Sequence, residues 1–88
     1  MSSFSVLVEV QLRPGIADPQ GSTIERSLPA LGFVGVEGVR VGKAMRFQVE
    51  AADEAAARQL VEDMCERFLT NPVIEDATIS LTAAVAAG

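Results

Sequence analysis

The 88-residue chain has no histidine and a single cysteine, Cys65. The first absence removes the usual general base and the commonest metal ligand. The second excludes an internal disulfide and a zinc site built on cysteines. No run of Lys or Arg occurs, and 12 acidic against 7 basic side chains leave a net charge of −5. Phosphate backbones and anionic membrane surfaces repel such a chain, so neither nucleic acid nor membrane is expected as a partner. Its apolar stretches are too short to span a bilayer. No helix opens after Gly32, Gly35, Gly38 or Gly42, so these glycines form neither a phosphate loop nor a dinucleotide fingerprint, and turn and bulge roles account for them. A lone thiol without a signal peptide fits a reducing cytoplasm. The chain is therefore expected to carry no catalytic residue, metal or cofactor of its own and to act by binding proteins.

What is present is one small α+β domain. Hydrophobic residues make up 49% of the chain, too many for a disordered one. A domain of this size buries only about 60% of its unfolded surface, which makes oligomerisation a common remedy. Phe4 to Leu12 alternates, with Phe4, Val6, Val8, Val10 and Leu12 on one face, and predicts a strand that Arg13-Pro14-Gly15 ends. Asp18 caps a first helix with Pro19 at its first position, Ile24, Leu28 and Leu31 as its apolar stripe and Gly32 as its stop. Pro29 should distort the last turn. Gly35 to Val41 and Ala44 to Glu50 read as two strands joined by a Gly42-Lys43 hairpin. Asp53 caps a second helix with a stripe of Ala57, Leu60, Val61, Met64 and Phe68, ended by Thr70-Asn71-Pro72. Ile74 to Thr82 gives the last strand.

The order is βαββαβ, which predicts an antiparallel sheet with two helices on one face, a ferredoxin-like arrangement. Residues 1–82 form the expected domain and residues 83–88 a small-residue tail. One core should unite Val6, Val8, Val10, Leu28, Phe47, Leu60, Met64, Phe68 and Ile79. The outer sheet face holds Leu7, Glu9, Arg46, Gln48, Thr78 and Ser80. It lacks the aromatics an RNA-recognition sheet needs.

Cys65 sits late in a helix with no imidazole partner, so a buried structural role is the plainer reading. Glu62-Asp63 reads as a solvated helix flank. Glu75-Asp76, where the last strand begins, is a candidate for binding as well as plain solvated charge. Arg40 and Lys43 bracket the expected hairpin and are candidates for partner contact, since Arg is enriched at interfaces, beside a plain solubility role. A regulatory domain that senses a small molecule stays open as an alternative, because such domains carry no strict motif.

Three segments, Asp18-Pro19-Gln20-Gly21, Val39-Arg40-Val41-Gly42-Lys43 and Met64 to Asp76, resemble the PurS family, the small subunit of phosphoribosylformylglycinamidine synthase. The likeness runs in register over nearly the whole chain. Pro29, Ala77 and the Ala-rich tail depart from the family pattern. The resemblance implies a subunit of a complex that uses ATP, Mg and glutamine in purine biosynthesis. In such a complex a large subunit carries the ATP-dependent ligation and a glutaminase subunit releases ammonia. The PurS-like chain is implied to bridge the two, itself as a dimer or tetramer, and to keep the ammonia path closed to solvent.

Overall fold

The computed structural model describes residues 1–83. Of the expected tail, only Ala83 lies within them; residues 84–88 lie outside. The α+β class and the antiparallel sheet hold. Strand β1 (Ser2–Leu12) lies at the centre of three, with β2 (Gly42–Ala51) and β3 (Glu75–Ala83) antiparallel to it on either side. Strict alternation along β1 fixes the register, because a one-residue slip would turn its valines to solvent. Val8 stands opposite Met45 and Ile79, and Val6 opposite Phe47 and Leu81. Leu7, paired with Arg46 and Ser80, stands on the other face, as expected.

Helix α2 (Glu54–Met64) covers the apolar face. Asp53 caps it by accepting the Ala56 N–H at 2.8 Å. Ala57, Val61 and Cys65, spaced four apart, are buried against the valines of β1 or beside Phe4. Two members of the expected stripe are not. Leu60 is 43% exposed and Phe68 is 86% exposed. Leu60 falls at the edge of a face centred on Val61. Phe68 is turned out by a π-helical turn, Cys65–Leu69, in which Thr70 N–H donates to the Cys65 carbonyl at 3.0 Å. Five residues per hydrogen-bonded turn rotate the chain past the four-residue spacing, and Leu69 packs inward instead. Val6, Val8, Val10, Phe47 and Ile79 thus belong to the core as expected. Leu60 and Phe68 do not, and Leu28 and Met64 are half-buried outside it.

The expected second strand also differs. Gly35–Val41 enters no ladder, and Gly42-Lys43 is no hairpin turn but the start of β2, paired with Gln11 and Val10. Positive φ at Gly35 and Gly38 breaks the extended run. Gly42 serves close approach instead: a Cβ there would come within 2.6 Å of the Val10 carbonyl oxygen. Helix α1 (Pro19–Ser27) is followed by a 3₁₀ turn, Pro29–Leu31, and stops at Gly32 with φ 93°. Pro29 distorts the end of the helix as its missing N–H requires. Both helices were expected over one sheet face, but only α2 packs there. Helix α1 and the loop after it form an arm. Its short stripe of Ile24, Leu28 and Leu31 meets no strand of its own sheet to the extent α2 does.

Candidate subunit interface

The arm is joined to the sheet through Asp18. Asp-Pro starts α1, and the Asp18 carboxylate is buried there. Its Oδ1 accepts the Gly21 N–H at 2.8 Å, the ordinary capping bond. Its Oδ2 accepts the Val41 N–H at 2.7 Å, just before β2. The Gly21 bond, then the Val41 bond, hold its pKa below the usual carboxylate value against the opposing effect of burial. One helical turn beyond Gly21, Glu25 Oε1 accepts the Val39 N–H at 2.9 Å. Gly21 is buried between these bonds, and any Cβ there would collide with the Val39 carbonyl oxygen. Arg40 closes the joint from outside, its guanidinium donating to the carbonyls of Ile16 at 3.1 Å and Arg13 at 3.4 Å.

Beyond the joint, the arm presents apolar side chains that remain exposed among the described residues. Leu31 is 70% exposed, Phe33 58% and Val34 79%, with Ile24 and Val36 also exposed. Large apolar side chains grouped this way mark an interaction surface.

Arg40, Lys43, Glu75 and Asp76 stand at the sheet end nearest the arm. Lys43 pairs with Val10 and Glu75 with Leu12, so both lie on the face α2 covers. They share a shallow hollow of about 260 Å³ with Asp18 and Gln20. Asp76 pairs with Gln11 on the opposite face and forms an ion pair with Arg13 Nε at 3.2 Å. The Glu75 carboxylate is engaged by the Asn71 N–H at 2.7 Å. Arg40 and Lys43 line a second hollow with Glu9. The four residues are thus gathered at one end of the sheet, with Asp76 apart from Lys43 and Glu75 by one face.

Sequence reasoning did not find the second bond of Asp18, the Glu25 tie, the Arg13 ion pair or the outward turn of Phe68. The spacing of Asp18 to Gly21 signals a cap, which uses one oxygen and leaves the second without an assigned partner. Cys65 is buried and its thiol is pushed up first by desolvation and then by Glu62, as suits an inert core cysteine. Among the described residues, no group of three or more His, Cys, Asp or Glu could hold a metal ion. No helix among them is long and apolar enough to cross a membrane.

A model of the family described as PurS, phosphoribosylformylglycinamidine (FGAM) synthase, matches residues 5–83. The chain is 41% identical over 81 residues to the phosphoribosylformylglycinamidine synthase subunit PurS of Synechocystis sp., covering 92% of this chain and 81% of that one. A chain of the solved structure of PurLQS from Thermotoga maritima superposes with a TM-score of 0.86 at 35% identity, over 93% of this chain and 100% of that one. Methanocaldococcus jannaschii PurS, one of the subunits of formylglycinamide ribonucleotide amidotransferase, superposes at 0.84 with 33% identity, over 93% and 99% of the two chains.

Proposed function

The chain belongs to the PurS family, and on that premise we propose that it is the non-catalytic bridging subunit of a glutamine-dependent phosphoribosylformylglycinamidine synthase in purine biosynthesis. Its partners are the ATP-dependent synthetase subunit, the glutaminase subunit and further copies of itself. The complex uses ATP, Mg and glutamine in the cytoplasm, and this chain supplies contact surface where the partners supply reacting groups. The observation that carries the reading is the uncovered arm: five large apolar side chains, Ile24, Leu31, Phe33, Val34 and Val36, stand in water in a chain too small to bury them itself. Covering them takes a second polypeptide, and a likeness to a chain of PurLQS supplies a setting in which subunits meet.

Residues 1–82 act as one unit in this reading. Arg40, Lys43, Glu75 and Asp76 form a polar rim at the sheet end, and the exposed Phe68 adds an aromatic anchor. A small-molecule sensor is not favoured, since family membership points to a synthase subunit. Co-elution tests the proposal. The chain mixed with the synthetase and glutaminase of the same organism should elute with both, in the presence of ATP, Mg and glutamine. Separate elution of all three under those conditions would contradict it.

A further inference from the structure

The connection Thr70 to Glu75 joins the π-turn to β3, and every backbone N–H in it is taken within the chain. Thr70 N–H donates to the Cys65 carbonyl at 3.0 Å. Asn71 N–H donates to Glu75 Oε1 at 2.7 Å, and Val73 N–H to Asn71 Oδ1 at 3.2 Å. The Asn71 carbonyl accepts the N–H of Ile74 at 3.1 Å and that of Glu75 at 2.8 Å. Pro72 has no N–H to satisfy. Both ends are anchored: Leu69 packs on the core, and the Ile74 carbonyl accepts the Arg13 N–H at 2.8 Å.

What this braced connection leaves outside is apolar. Phe68 is 86% and Val73 79% exposed, and Pro72 between them is exposed as well. A segment whose backbone is already fixed loses little freedom on binding, and an exposed aromatic ring is the kind of residue that anchors an interface. The charge beside the ring is Arg67, which is exposed and makes no ion pair among the described residues. Glu66, two residues before Phe68, falls about half a turn away, whereas Arg67 falls about a quarter. Glu75, the one carboxylate of the connection, is held by Asn71.

A second copy fits this surface poorly. A two-fold contact centred on Phe68 would bring two Arg67 guanidiniums together. Seating Phe68 in the apolar hollow of another copy's arm, lined by Pro19, Thr23, Ile24 and Val41, would be a heterologous contact, which runs on into rings or filaments. We propose that Phe68 and Val73, held out by the Thr70–Glu75 connection, dock into an apolar pocket with a carboxylate at its rim on a different polypeptide, a catalytic subunit of the synthase. The inference rests on the bridging role read under the proposed function and assigns one of its contacts to named residues.

The test measures binding of the full chain to the synthetase and to the glutaminase separately, with sedimentation of the chain alone beside it. Phe68→Ser combined with Val73→Ser should weaken binding to one of the two by on the order of a hundredfold and leave sedimentation of the chain alone unchanged. Arg67→Glu should weaken the same contact about tenfold at low salt and less at high salt. Asn71→Ala, which removes the acceptor of the Val73 N–H, should weaken it about tenfold with both apolar side chains in place. Undiminished binding of the double Ser variant to both subunits would overturn the proposal. So would a change in its self-association alone, which would assign the surface to a second copy. Unchanged binding of Arg67→Glu would overturn the carboxylate rim, and of Asn71→Ala the bracing. A wild-type chain that binds neither subunit would overturn the bridging role and this inference with it, whereas wild-type binding with indifferent variants would overturn the inference alone.

Discussion

Gly21 shows how little tolerance the joint has. A methyl group at this position meets a backbone carbonyl, which cannot move aside as a flexible side chain would. Gly21→Ala is expected to destabilise the chain by about 2 kcal/mol in urea unfolding, although alanine is the better helix former. An unchanged midpoint would contradict the close packing of α1 on Val39. Asp18 makes a pH prediction. Its folded pKa lies below the unfolded value of about 3.9. Its contribution is therefore fully present above that value and is lost as pH falls through the folded pKa. The stability difference between the wild type and Asp18→Asn should be flat from about pH 7 to 5 and shrink below about pH 4. A difference that grows on acidification would oppose this. Cys65, with its thiol pushed up by burial, should react with a thiol reagent at least about tenfold faster in the unfolded chain than in the folded one at pH 8.

Among the elements, β1 was the most legible, because alternation over 11 residues leaves one register that buries its valines. The capped starts of α1 and α2 were legible for a similar reason: Asp at a helix start has one local use, and Asp18 and Asp53 both serve it. The rest depended on partners that periodicity does not reveal. Nothing in Gly35–Val41 says that side-chain carboxylates 14 and 23 residues away take the amides of Val39 and Val41 in place of a neighbouring strand. Nothing in a four-residue stripe foretells that Cys65–Leu69 winds as a π-turn and exchanges Phe68 for Leu69. The candidate residues Arg40, Lys43, Glu75 and Asp76 were legible as exposed charges at strand ends, but their division between two faces required the register. The contrast within α2 gives a prediction. Val61→Ala should cost about 2 kcal/mol, as buried truncations do. Phe68→Ser should change the stability of the isolated chain by no more than about 0.5 kcal/mol, since it touches little. Chemical unfolding of both variants checks this, and equal losses would mean that Phe68 belongs to the core after all.

The molecule as a whole is drawn out where a closed domain would be round. Its extents are 52 × 35 × 15 Å. Its Cα radius of gyration is 17.0 Å, against about 12 Å for a compact chain of this length. The apolar side chains of the arm are exposed among the described residues of this open shape. The shape bears on assembly: the arm is stable in water only at a cost that association removes. Leu31→Ser combined with Phe33→Ser should therefore weaken self-association by on the order of a hundredfold in sedimentation while leaving the core of β1 and α2 folded. The central claim is that the chain contributes position and exclusion of water, not reacting groups. Its most direct measurement is the amidation rate of the synthetase and glutaminase, with and without this chain, from glutamine and from ammonium salts. The account predicts that the glutamine-dependent rate collapses without the chain while the ammonia-dependent rate largely persists, because free ammonia needs no transfer path. Equal glutamine-dependent rates with and without the chain, or glutamine hydrolysis by the chain alone, would contradict it.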